Sequence, residues 1–408
     1  MSSTSLKSSN EMPVTSAALG ALWPALPGGR KGAAPIRKSN SILPVILGLA
    51  ATLCAFGAKA ETREPTAESQ SFLFIGNSFT ARHELKDIFK TLATEGNPGT
   101  DFITERITYG GRDLFRHFEL FRSQDLLRLQ TVSDADIKTS MSEMEALAKA
   151  DEPAFYTEYW KKIDFSALQP WEEYEAADVA PKRARANAAK RGSSQWKGDR
   201  SVVLKSALRN HRAWLAQRND FPPSWDYVVL QSWQDMNPDP ESGYVKYASK
   251  FIEFAKQQNT QPILYITAPY SQNMAPVTGP VEKDRALMEV RLAADLAKKT
   301  SALVVPVPLA IYRLQKAGTS LALRYKNDGH PNQYCAYLTA CLFYAAVFNK
   351  SPEGLALTEV VETKVVDPDN PGCDPDGNPL KRTFTESERQ LLQRTAWETM
   401  EAFRRGEF

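Results

Sequence analysis

The chain has 408 residues, with 50 Lys and Arg against 48 Asp and Glu, a formal net charge of +2. Six of the basic residues and one acid fall in residues 1–60, which leaves 44 against 47, a net of −3, in the remainder. That balance excludes the basic footprint of a nucleic-acid-binding protein, and the four cysteines, Cys54, Cys335, Cys341 and Cys373, follow no zinc spacing.

Near the N-terminus, Arg37 and Lys38 precede the apolar run "ILPVILGLAATLCAFG" at 42–57, and "AKA" follows at 58–60. A basic region, a short apolar core and a small-x-small site are the pattern of a Sec-type signal peptide. The expectation is therefore a leader over 1–60, unusually long, with Met12 as an alternative start. The apolar core is short for a membrane span, so an uncleaved anchor is the rival and no stable membrane insertion is expected after cleavage. Export to the periplasm or beyond follows from that reading. Cys54 is preceded by Thr-Leu rather than by small residues, which argues against a lipoprotein.

Residues 61–70 read as a polar linker. "SFLFI" at 71–75 is a short apolar strand, and it stops at Gly76-Asn77-Ser78. A helix follows over 84–95, with Leu85, Ile88, Phe89 and Leu92 on one face. "DFITERITYGG" at 101–111 is a second strand closing on glycines. Residues 112–220 are charged and helical in pattern, and "PKRARANAAKRGSSQWKGDR" at 181–200 is a polar segment within them. Strand and helix then alternate: strands at 225–231 and 261–269, helices at 244–258 and 281–300, a strand from 302, and a strongly apolar helix at 332–348. This alternation argues for a parallel sheet covered on both faces. An Asp/Pro/Gly loop at 367–379 precedes a last helix opened by the capping pattern Thr385-x-x-Glu388. Cys335 and Cys341 are expected as buried small hydrophobes on different helix faces, with a disulfide from Cys373 to one of them left open.

In an open parallel sheet, chemistry sits at the carboxyl ends of the strands. Ser78 lies at such an end, where backbone N–H groups can also meet a developing negative charge. Serine is equally a common turn and N-cap residue. The second informative segment is "RYKNDGHPNQYCAYL" at 324–338. There Pro331 holds His330 extended and suits the first turn of the next helix. A serine nucleophile needs a base, and the base needs an orienting carboxylate. Asp328 and His330, two residues apart, supply both. Neither a metal nor a cofactor is called for, because no cluster supplies further ligands. The Asp-rich loop lacks the spacing of a calcium-binding EF-hand.

Together these segments resemble the SGNH hydrolase superfamily, the GDSL-like lipases and esterases. "FIGNSFT" resembles its nucleophile block, "NDGHPN" its terminal Asp/His block, and "TYGGRDLFRHFE" its glycine block. "WDYVVLQSWQD" stands where the family has Gly-x-Asn, and here the chain departs from the pattern. The resemblance implies a flavodoxin-like three-layer α/β/α sandwich over 71–366 with a central parallel sheet. A helical insert at about 120–220 and a C-terminal loop and helix at 367–408 complete the expected organisation. It implies Ser78, Asp328 and His330 as catalytic, with Ser78, Gly111 (Gly110 as rival) and Gln231 (Gln234 as rival) in the oxyanion hole. Asn77, Arg112 and Gln234 are candidate substrate contacts.

The activity so implied is ester hydrolysis, and the export signal and the aromatic, polar insert favour O-acyl groups on carbohydrate. Trp160, Trp171, Trp196, Tyr156, Tyr159 and Tyr174 are candidate sugar platforms or simply core. A non-catalytic glycan-binding protein on the same fold, and an acyltransferase using the same triad, are the alternatives. The partner expected is a small-molecule or polysaccharide ester.

Overall fold

The computed structural model describes residues 68–128, 132–149, 195–232, 236, 243–267, 283–326, 328–364 and 370–408. The expected signal peptide, Trp160, Trp171, Gln234 and most of the basic segment at 181–200 lie outside these residues.

Five strands form one parallel sheet: β1 (Glu68–Gly76), β2 (Thr100–Thr108), β3 (Tyr227–Leu230), β4 (Gln261–Ile266) and β5 (Leu303–Pro306). Their spatial order is β2-β1-β3-β4-β5. The chain leaves β1 in one direction to reach β2 and in the other to reach β3. Such a reversal opens a crevice beyond the strand ends, where doubly wound sheets bind their ligands. In register, Ile75 of β1 lies between Ile107 of β2 and Leu230 of β3, so Gly76 and Gln231 emerge side by side at that crevice.

The central strands are apolar without alternation because both faces are covered. Phe72, Leu73, Phe74 and Ile75 are all fully buried. Phe72 and Phe74 point to one core layer with Val229, Ile263 and Tyr265. Leu73 and Ile75 point to the other with Val228, Leu230 and Leu264. The first layer is closed by α2 (Leu85–Gly96), α8 (Val307–Lys316), α9 (Gln333–Phe348) and α10 (Glu386–Arg405). The second is closed by α3 (Leu114–Glu119), α6 (Gly243–Gln257) and part of α7 (Lys283–Thr300), together with two helices of the insert, α4 (Asp134–Lys149) and α5 (Gln195–Ala216). The fold is thus α/β with helices on both faces of a parallel sheet.

Helix α9 is apolar on every side, and all its residues from Gln333 to Ala346 are buried. A helix apolar all round belongs in the middle of a core, and α9 sits between α2 and α10. Asn332 caps it, its side chain accepting from Cys335 N at 3.2 Å. Thr385 and Glu388 form the reciprocal capping box of α10. Cys335, Cys341 and Cys373 are all free thiols. The disulfide left open from the sequence is absent: the first two are buried in the core layer around α9, while Cys373 is half-buried in a bridge to Pro379. Neither α8, where only a strand from 302 is expected from the sequence, nor a two-stranded antiparallel ribbon of β6 (Glu359–Val361) and β7 (Lys381–Thr383) is among the expected elements. The ribbon delivers Glu362 to the interior.

Candidate active site

The turn after β1 is built around Gly76. A Cβ there would lie 2.5 Å from both Gln231 Oε1 and Thr80 Oγ1, so only glycine fits. The space is occupied because Gln231 Oε1 accepts from Asn77 N at 2.8 Å and from Thr80 Oγ1 at 2.9 Å. Asn77 caps the four-residue helix α1 (Ser78–Ala81), its Oδ1 accepting from Phe79 N at 3.0 Å. Its Nδ2 donates to the Arg112 carbonyl at 3.0 Å, which ties the glycine loop to the serine turn. The Gly76 carbonyl is held in turn by Tyr109 N at 3.2 Å and His117 Nε2 at 2.8 Å.

These bonds leave Ser78 half-buried with its hydroxyl directed at His330. The Ser78 Oγ to His330 Nε2 distance is 2.8 Å. His330 Nδ1 is hydrogen-bonded to Asp328 Oδ1. A carboxylate can only accept, so Nδ1 carries the proton and Nε2 presents its lone pair to the serine. Phe79 stacks on the imidazole at 4.7 Å between centroids. The Asp328 loop is closed by a bridge between Arg324 and Pro331, and Asn332 then starts α9. The three residues read from two distant segments are therefore brought together in one hydrogen-bonded chain.

Arg82 extends that chain. Its Nη1 donates to Asp328 Oδ2 at 2.7 Å, its Nε to Glu362 Oε2 at 2.8 Å, and its Nη2 also reaches Glu362 Oε2. All of these side chains are shielded from solvent. Burial lowers the affinity of His330 for a proton; the bond to Asp328 opposes this and the Arg82 charge adds to it, so His330 titrates below the ordinary imidazole value. Burial raises Asp328, but its bonds to His330 and Arg82 outweigh that and hold it well below the carboxylate range. At neutral pH the site holds a neutral imidazole against an ionised carboxylate.

The remaining expected residues fall differently. Gly111 lies at φ +63° on the half-exposed rim of the glycine loop, a conformation that favours glycine. Arg112 is half-exposed beside it. Gln231 is corrected: it is fully buried, its oxygen is spent on Asn77 and Thr80, and its amide donates to the Ser232 carbonyl. The side chain is turned into the protein and braces the serine turn. Asn77 is corrected for the same reason, being fully buried with both ends of its carboxamide engaged.

Four further residues carry the site without having been singled out. Arg82 and Glu362 hold Asp328. Ser232 Oγ accepts from Leu114 N at 2.9 Å and so seats α3 under the glycine loop. His117 grips Gly76, while its Nδ1 lies 2.8 Å from Ser123 Oγ. One signal was present for Arg82: four residues after Ser78, it lies one turn along on the same side. Glu362 had none. Among the described residues no group of three His, Cys, Asp or Glu side chains could hold a metal ion, and no helix is long and apolar enough to cross a membrane.

No family model matches the chain, and no curated protein matches it. Two solved structures are similar. One is a protein from Slackia heliotrinireducens proposed to be an SGNH hydrolase, 18% identical with a TM-score of 0.35, covering 68% of this chain and 99% of that one. The other is a DUF4886 family protein from Bacteroides uniformis, 13% identical with a TM-score of 0.40, covering 84% of this chain and 97% of that one. Similarity at that level says nothing of itself about chemistry.

Proposed function

We propose that the protein is an exported serine esterase of the SGNH type that removes O-acyl groups, acetyl above all, from carbohydrate. The observation that carries this reading is the unbroken hydrogen-bonded chain Ser78–His330–Asp328 at the sheet's switch point. A serine whose hydroxyl meets a neutral imidazole lone pair, backed by an ionised carboxylate, is equipped for acyl transfer.

In that mechanism His330 Nε2 takes the Ser78 proton as Oγ attacks the ester carbonyl. Asp328 stabilises the imidazolium so formed. The oxyanion is met by the backbone N–H groups of Ser78 and Gly111. The carboxamide of Gln231 is not among the donors, because it braces the turn beneath. The imidazolium then protonates the departing sugar oxygen, leaving an acyl-serine. Water, deprotonated by His330, releases the acid and restores the serine. The side chains supply every proton movement. The choice of carbohydrate esters rests on the leader and on the aromatic, polar insert.

The test is treatment with a fluorophosphonate probe followed by intact mass, beside Ser78→Ala and His330→Ala. A single adduct on the wild type, lost in Ser78→Ala and much reduced in His330→Ala, is expected. Acetate release from acetylated oligosaccharides is expected to follow the same pattern. No adduct on a well-folded wild type would overturn the esterase reading. Acetate transfer to an added sugar in preference to water would reassign the same triad to an acyltransferase.

A further inference from the structure

Arg82 lies outside the triad but touches its carboxylate. We propose that Arg82, braced by Glu362, is a positioning residue for the reaction, fixing Asp328 in the orientation that reserves Oδ1 for His330. The inference rests on the esterase reading and adds to it the group that aims the base.

The two carboxylate oxygens of Asp328 are chemically equivalent, and a free carboxylate can rotate either of them, or neither, toward an imidazole. Here Oδ2 is held by Arg82 Nη1 at 2.7 Å, which leaves Oδ1 for His330 Nδ1. Arg82 cannot swing away, because its Nε and Nη2 are both committed to Glu362 and its guanidinium lies 5.1 Å from the Tyr325 ring centroid. Glu362 is itself anchored, its Oε1 accepting from Lys364 N at 2.9 Å. The planar fork of arginine suits this double task, and an ammonium would not hold both carboxylates in fixed directions. An ordinary buried ion pair needs one partner. This guanidinium has two, from separate loops, and one of them is the carboxylate of the proposed triad.

The arrangement also carries charge to the base. The charged groups facing His330 are Asp328 from its own loop, Arg82 from the turn after α1 and Lys364 from the segment after β6. Glu362 stands behind Arg82, and the buried His83 beside it is pushed toward neutrality by burial. Arg82 opposes protonation of His330, and Glu362 partly offsets Arg82.

The variants are Arg82→Gln with Glu362→Gln, which removes one charge of each sign and so keeps the net charge of the cluster, together with Glu362→Gln and Arg82→Lys. Thermal melts establish folding. The readouts are kcat and KM on p-nitrophenyl acetate, the pH profile of kcat/KM, and NMR titration of the His330 imidazole, assigned by its loss in His330→Ala. In the double variant kcat is expected to fall on the order of 10- to 100-fold, the cost of a misaimed base, with KM little changed. The His330 titration and the acid limb of kcat/KM are expected to move upward. Glu362→Gln alone is expected to move both downward, since the cation loses its partner. Arg82→Lys should keep the titration nearer to wild type while leaving kcat low.

A folded double variant with wild-type kcat and wild-type titration would overturn the proposal. If the double variant does not fold, an unmoved titration in Glu362→Gln with full activity in Arg82→Lys would do so. The NMR titration needs no turnover. A protein that hydrolyses no ester yet shows the opposed shifts would sink the esterase reading and leave the Arg82 clamp standing.

Discussion

Two buried imidazoles grip the turn after β1 from opposite faces of the sheet. His330 comes from the α9 side and holds the Ser78 hydroxyl; His117 comes from α3 and holds the Gly76 carbonyl. Burial lowers the proton affinity of both, His117 to a pKa of about 4. They differ in what stands behind the ring. His330 Nδ1 meets the Asp328 carboxylate, which Arg82 keeps in place. His117 Nδ1 meets the Ser123 hydroxyl. A carbonyl only accepts, so His117 Nε2 must donate to Gly76 and Nδ1 must accept from Ser123. Both nitrogens are satisfied in the neutral form, and no anion stabilises a second proton. In the proposed mechanism His330 is the base, whereas His117 is placed as a brace, and the partner of the far nitrogen sets the two apart.

The largest test of that difference lies on the His330 side. Asp328→Asn is expected to cost about 10⁴ in kcat by spoiling the tautomer, measured on a chromogenic acetate ester, while Ser78→Ala abolishes probe labelling. A wild-type rate in folded Asp328→Asn would mean that the carboxylate does not define the base.

Acid titration comes next. His117 is protonated in the unfolded chain below the usual imidazole value near 6.5, but in the native state only near 4. Its contribution is therefore present above that usual value and is lost as pH falls from it toward 4. The loss amounts to about 3 kcal/mol of unfolding free energy by linkage. His83, His211 and His330 are lowered too and act in the same direction. Urea unfolding midpoints at several pH values should decline across this window, and less steeply in His117→Gln. The acid limb of kcat/KM should likewise lie below the usual imidazole value. A limb above it would contradict the burial and charge of His330.

His117→Gln at neutral pH is expected to cost about 2 kcal/mol of stability through lost bonds to buried partners, with kcat/KM kept within about tenfold. A folded His117→Gln without activity would erase the distinction between brace and base. Gly76→Ala should destabilise by about 1–3 kcal/mol, since its Cβ collides with Gln231 and Thr80. Thr80→Val is the smallest change, at about 1 kcal/mol for one buried bond to Gln231. Both are read from thermal melts.

What the sequence disclosed follows the range of the forces involved. The strands and helices of the sheet were legible because their burial imposes a local pattern: four consecutive apolar residues at Phe72–Ile75, or a helix apolar on every side at α9. Ser78, Asp328 and His330 were legible because each sits in a short block of turn-forming residues at a strand end or helix start. Gln231 was read at the right place with the wrong orientation. Sequence locates the end of β3 but not the rotamer, and the rotamer is set by the Asn77 N–H and the Thr80 hydroxyl, which both donate to the Gln231 oxygen. Arg82 and Glu362 meet across 280 positions, a contact that no local pattern encodes. The β6–β7 ribbon that delivers Glu362 is only three residues per strand, too short for periodicity to register.

The order of synthesis gives the burial of α9 a further consequence. Its partner α10 follows it in the chain, and Leu392, Ala396 and Met400 complete the layer around it. When α9 leaves the ribosome, that cover has not yet emerged, so a nascent chain carries a wholly apolar helix with one side open. Folding around α9 is thus completed only once α10 has emerged, and until then the chain depends on being kept from its neighbours. A truncation before Glu386 would make that transient exposure permanent.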